Sequence, residues 1–230
     1  MSVLNELDSL FDSLTIKPTF DYVHVILSLF IFKENPDGIG RYRLKEELLI
    51  GAGTSRSLVR RLESKLSFIK VKDETSKSES QNIRRGHILT DKGSKFLEKI
   101  NLKLPLLNKG DLSILEEIII NAENTYAYFC LVRNASHRIT NGIEQRDAAI
   151  KVYGSGATCL IYDGKNLKFP SDLENNKERS NVNRTIQKYF NKELSNANLE
   201  LKNNDVIIIG LGDDPKKARL ASLNAALTLF

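Results

Sequence analysis

Apolar residues recur at Leu4, Leu7, Leu10, Phe11 and Leu14 with Asn, Glu, Asp and Ser between them, the three-and-four spacing of one helix face. A short amphipathic helix is expected over residues 3–14, its stripe free to pack on its own domain or against a second subunit. Thr19 or Asp21 can cap a strongly apolar helix running to about Lys33, which Asn35-Pro36-Asp37-Gly38 stops. Arg41-Tyr42-Arg43 reads as extended, and Leu44 to Leu49 as a brief helix. Ile50-Gly51-Ala52-Gly53 supplies a tight turn, after which Thr54 or Ser55 caps a helix to about Leu66. Phe68 to Val71 alternates as a strand. Asp73 to Asn82 is a polar loop, His87 to Leu89 a second strand, and Thr90 the cap of a closing helix from Asp91 to about Leu102. Helix, helix, turn, helix, strand, loop, strand, helix is the order of a winged helix-turn-helix.

Residues 104–110, with a proline, an asparagine and a glycine between regular segments, read as a linker. Beyond it the pattern is mixed. Asp111 to Ala122 is expected to be helical, Thr125 to Val132 a strand and Gly142 to Val152 a helix. Ala157 to Tyr162 and Asn166 to Phe169 flank Asp163-Gly164-Lys165, a hairpin signal. Ser171 to Ser180 is a charged, asparagine-rich loop. Asn183 to Leu194 is a helix, Asp205 to Ile209 a buried strand and Pro215 to Leu229 a last helix. The expected fold class is therefore α+β: an N-terminal winged helix-turn-helix over residues 1–103, then a small mixed α/β domain of three or four strands over residues 111–230.

Composition changes this picture mainly through charge. The net charge is +5 over 230 residues, but it is concentrated. Arg41 to Lys103 holds 16 Lys/Arg against 8 Asp/Glu, whereas residues 104–230 hold 16 against 15 and residues 1–40 are acidic on balance. A single basic block points to one nucleic-acid-facing domain. The apolar run Val23 to Phe32 is too short to span a bilayer and follows an acidic leader, so no membrane partner and a cytoplasmic location are expected. Cys130 and Cys159 lack metal-ligand spacing and are expected to be reduced, packed thiols, with no metal and no cofactor.

The helix after the glycine turn carries the chemistry. At 100° per residue, Leu58, Val59, Leu62 and Leu66 share an inward face, while Arg56, Ser57, Arg60 and Ser64 lie opposite, with Arg61 on their shoulder and Lys65 nearer the boundary. Arginine can donate a bidentate pair to guanine and serine can reach phosphate or base, so this is the composition of a helix in the major groove of double-stranded DNA. Arg41 and Arg43 before it and Arg84 and Arg85 after the loop are expected backbone contacts, and Thr54 and Ser55 at its start are further DNA-binding candidates. Asp73, Glu74 and Glu79 make the loop tip itself repel phosphate.

In the second half, Gly154-Ser155-Gly156 is a GxG fragment of little specificity. Gly210-Leu211-Gly212-Asp213-Asp214-Pro215 joins a buried strand to a helix. Its aspartates disfavour phosphate, so Gly210, Gly212 and Asp213 are candidates for a ligand offering an amine or hydroxyl. Glu144, Arg146 and Asp147 could line a pocket or form a surface ion-pair network. His24, His87 and His137 suggest no catalytic arrangement, so no enzyme activity is expected.

The segments RYRLKEELLIGAGTSRSLVRRLESK and HILTDKGSKFLEKI resemble prokaryotic winged-helix regulators. With NGIEQRDAAIKVYGSGATCLIYDGKNLKFP and DVIIIGLGDDPKKARLASLNAALTL added, the chain resembles an archaeal uncharacterised family that joins a winged helix to a C-terminal domain of unknown function. That resemblance implies a transcriptional regulator. The expectation is a homodimer reading half-sites one helical turn apart, with a small-molecule effector or dimerisation role for the second domain. The alternatives are a winged helix that grips a protein of the transcription or replication machinery, and a small-molecule enzyme with an appended regulator domain.

Overall fold

Apolar residues on every side of Tyr22–Glu34 (α1) force that helix into an interior: Val23 through Leu29, Ile31 and Phe32 are all buried. The structure is a computed structural model that describes residues 3–13, 17–72, 86–119, 125–170 and 181–230. The chain divides into two compact units, Met1–Ile100 and Asn101–Phe230.

In the first unit a 3₁₀ helix, Val3–Leu10, buries Leu7 and Leu10. Asp21 caps α1, its backbone N–H donating to His24 Nδ1 at 3.0 Å. Two helices follow, α2 (Arg41–Leu48) and α3 (Ala52–Ser64). They are joined by a turn in which Leu49 is left-handed (φ 54°) and Gly51 is the N-cap of α3. Two expectations are corrected here. Arg41-Tyr42-Arg43 is the first turn of α2 rather than extended chain, and α3 starts at Ala52, before Thr54 and Ser55. The inward stripe of α3 is as expected: Leu58, Val59, Leu62 and Leu66 are all buried. Strands β1 (Ile69–Val71) and β2 (His87–Leu89) pair antiparallel, Ile69 opposite Leu89. Helix α4 (Asp91–Lys103) then begins under Thr90, whose Oγ1 accepts from the Gly93 N–H at 3.1 Å and donates to the Ser67 carbonyl at 2.7 Å.

The described residues of the second unit form five strands in the order β3-β4-β7-β5-β6, every neighbouring pair antiparallel. These are β3 (Leu106–Lys109), β4 (Tyr126–Val132), β5 (Gly156–Tyr162), β6 (Leu167–Lys168) and β7 (Val206–Gly212). The expected linker thus contains an edge strand, and the three or four expected strands are five among the described residues. Pro105 and Gly110 bound the strand rather than mark a flexible connection. The expected helix over 111–122 is shorter: α5 (Leu112–Leu115) followed by a 3₁₀ turn ending at Ile118.

β7 reads as an unbroken apolar run because both its faces are covered. On one face Phe129, Leu131, Ile207 and Ile209 pack with Ile186, Tyr189, Phe190 and Leu194 of α7 (Arg184–Asn196) and with Leu115 of α5. The other face meets α8 (Pro215–Leu227), beside which α6 (Ile143–Lys151) packs on α8 and β5. The two-residue period of the strands divides the side chains between these layers.

Candidate nucleic-acid interface

The first turn of α3 is tied to the first residue of α2: Ser55 is 1% exposed and its Oγ donates to the Arg41 carbonyl at 3.0 Å. Ser55 is therefore a structural fastener, not the surface contact expected of it. The tie brings three cations around one aromatic side chain. Arg41 sits over the Tyr42 ring, 5.2 Å from its centroid, and Tyr42 is 59% exposed. A hydrogen bond from Arg41 and the positive charges of Arg41, Arg56 and Lys45 lower the Tyr42 phenol pKa. Arg41, Lys45 and Arg56 therefore share one patch, with Arg43 and Arg60 also exposed on α2 and α3. Tyr42 was invisible as a site residue in the sequence, where it stood in a stretch read as extended.

Strand β2 reaches the same neighbourhood. Ile39 bridges to His87, and the His87 pKa is lowered by burial, with Glu63 opposing and Arg41 adding to the shift. Arg84 and Arg85, together with the acidic loop residues Asp73, Glu74 and Glu79, lie outside the described residues.

Other members of the expected face have different work. Arg61 Nη1 donates to the carbonyls of Leu10 and Asp12 at 2.6 and 3.0 Å. Lys65 Nζ donates to those of Ser9 and Asp12 at 2.6 and 3.0 Å. Both cations hold the end of the N-terminal 3₁₀ helix, where unpaired carbonyls concentrate partial negative charge. They are corrected from DNA contacts to fasteners of that segment. Ser64 Oγ donates to the Arg60 carbonyl one turn back, and Thr54 Oγ1 meets Thr19 Oγ1 at 2.7 Å. Ser57 stays partly exposed. The free outward face narrows to Arg56, Ser57 and Arg60.

The ligand candidates of the second unit are also relocated. A Cβ on Gly210 would stand 2.0 Å from the Ser222 nitrogen, and one on Gly212 would stand 2.7 Å from the Ala218 nitrogen. Both glycines are buried because α8 lies directly on the β7 backbone, so neither can approach a ligand. Asp213 is exposed and pairs with Lys217 at 2.8 Å, which lowers its pKa. Glu144, Arg146 and Asp147 are exposed on α6, with Arg146 and Asp147 paired at 2.9 Å. They form the surface arrangement rather than a pocket. A cleft of about 800 Å³ opens instead beside α5, α7 and the start of β4, lined by Lys109, Asp111, Leu112, Tyr126, Lys188 and Tyr189 among others. Its lining comes from separate stretches of chain, so no local motif announced it.

Among the described residues no group of histidines, cysteines and carboxylates could hold a metal, and no helix is long and apolar enough to cross a membrane.

Residues 123–229 match a domain of unknown function, DUF4443, which meets the C-terminal part of the expected resemblance. A hypothetical protein from Pyrococcus horikoshii OT3 is structurally similar, with a TM-score of 0.63 and 24% identity over 91% of this chain and 93% of that one. At that identity the likeness is one of fold. No curated protein matches the chain.

Proposed function

We propose that residues 22–103 are a winged helix-turn-helix that binds double-stranded DNA, and that the chain is a transcriptional regulator. The observation that carries this reading is the convergence of Arg41, Lys45 and Arg56 around exposed Tyr42 where α2 meets α3. In this reading α3 enters the major groove by its N-terminal half, with Arg56 and Arg60 toward bases or phosphates and Ser57 beside them. Arg41 and Arg43, on the first turn of α2, contact the backbone, and Tyr42 packs on the sugar-phosphate chain. The pair β1–β2 is the wing. A homodimer with half-sites one helical turn apart then supplies sequence discrimination.

The test is fluorescence anisotropy with a labelled duplex over a range of salt. Arg56→Ala with Arg60→Ala is expected to weaken binding at least about tenfold. It should also flatten the logarithmic salt dependence by about one to two units, because each lost phosphate contact removes roughly 0.9. Binding by the double variant equal to the parent at 150 mM salt (about the physiological level) would overturn the reading.

The same Tyr42–arginine patch favours a second reading, since aromatic and arginine side chains dominate protein-binding hot spots. A partner of the transcription or replication machinery captured equally well by the parent and the arginine variant, with no duplex affinity in either, would select that alternative.

A further inference from the structure

We infer that the cleft beside α5 and α7 binds a singly charged organic anion with an apolar body. A volume of about 800 Å³ is that of a site for a small ligand. Leu112, Ile114 and Tyr126 give it apolar walls. Tyr189 lines it and is 8% exposed; its hydroxyl oxygen accepts from the Asp111 N–H at 2.9 Å, which leaves the phenol proton available to a ligand. Burial and then the negative charges of Glu193 and Asp111 raise the Tyr189 pKa, so the phenol keeps its proton as a donor. With the rim ammonium groups offsetting those two acids, an anionic oxygen is its strongest acceptor, because charge-assisted hydrogen bonds are the strong ones.

The rim sets the ligand's charge. Lys109, Lys188 and Lys192 are exposed and make no ion pair among the described residues. Lys188 and Lys192 stand one turn apart on α7 and so present two ammonium groups on one side. Of the two carboxylates, Asp111 accepts from the backbone N–H and Oγ of Ser113 at 3.1 and 2.7 Å, and Glu193 is partly exposed. Three ammonium groups against two carboxylates suit one negative charge. A polyphosphate would meet both acids. The apolar walls require the rest of the ligand to be hydrocarbon or aromatic.

Binding itself is independent of the DNA reading; only a regulatory consequence rests on it. The experiment therefore uses the full chain without DNA. The probe is 8-anilinonaphthalene-1-sulfonate, followed by fluorescence, against N-phenyl-1-naphthylamine, the same ring system without the sulfonate. The sulfonate is expected to bind one site with micromolar affinity and to lose at least about tenfold with Lys188→Gln and Lys192→Gln, exposed positions whose replacement leaves the thermal midpoint in place. Tyr189→Phe should lose about threefold or more, whereas the neutral probe should bind weakly and change less than about twofold with the lysine variant. Octanoate should displace the sulfonate, and pyrophosphate should not. Undiminished sulfonate binding in the lysine variant, equally tight binding of the neutral probe, or displacement by pyrophosphate in preference to octanoate would each overturn the inference.

Discussion

Asp205 is buried at the start of β7, where it accepts from the Arg133 guanidinium, from the Asn134 N–H at 3.1 Å and from the Lys202 N–H at 2.8 Å. This ties the end of β4 to the beginning of β7. Removing the cation leaves an uncompensated charge in the interior, so Arg133→Ala should cost about 3–5 kcal/mol in urea unfolding. Replacing Asp205 as well would orphan the Asn134 and Lys202 N–H groups, so the double change should not recover that stability. Cys130 and Cys159 both sit opposite Ile208 on its two neighbouring strands, so their Cα atoms are roughly 9–10 Å apart, beyond disulfide reach. Burial pushes both thiols up to about 12. Neither should react with an aromatic disulfide reagent at pH 8 in the native protein, and both should react once it is denatured; a thiol titrating in the native state would contradict this placement. His24 is held neutral chiefly by desolvation, its pKa lowered from 6.5, and its Nδ1 is already an acceptor. The unfolded chain binds a proton there more readily than the folded one. Stability present above about pH 6.5 is therefore lost as pH falls toward the lowered value. The thermal midpoint should drop between pH 7.5 and 5.5, and His24→Gln should reduce that drop without abolishing it, because the His87 pKa is lowered as well.

Among the elements, α8 is placed by what β7 lacks. Backbone atoms of Ala221 and Ser222 occupy the space a Gly210 side chain would need, and backbone cannot rotate aside as a flexible side chain can. Gly210→Ala should destabilise the protein by about 3 kcal/mol or more, beyond ordinary overpacking, as read from the urea midpoint. The N-terminal 3₁₀ helix is placed by α3. Arg61 and Lys65 reach its terminal carbonyls across about fifty residues of sequence. Arg61→Ala should expose the segment before Asp21 to limited proteolysis while lowering duplex affinity far less than Arg60→Ala does. Equal losses of affinity would return Arg61 to the contact surface. The helical periodicity of that segment was legible in its leucines, but the partner of its carbonyls was not, since nothing local distinguishes an arginine facing DNA from one facing a distant helix end.

At the scale of the molecule, the basic patch lies in the unit Met1–Ile100 and the cleft in Asn101–Phe230. Each is open to assay by itself, by salt-dependent duplex binding and by probe binding. The order and type of nearly all described elements, the inward stripe of α3, the glycine-bearing turn before it and the burial of β7 were legible in the amino-acid sequence. These are written in hydrophobic period and in turn residues a few positions apart, where physics is local. Tertiary structure alone decided which cations are free, that Ser55 is a fastener, that residues 106–109 complete a sheet, and that Gly210 and Gly212 lie under a helix. It also assembled the cleft from separate segments. Each of those outcomes depends on a partner far away in the chain: a carbonyl end, a strand edge or a backbone passing at van der Waals distance. Periodicity shows which way a side chain faces, and only the packed molecule shows what it meets there.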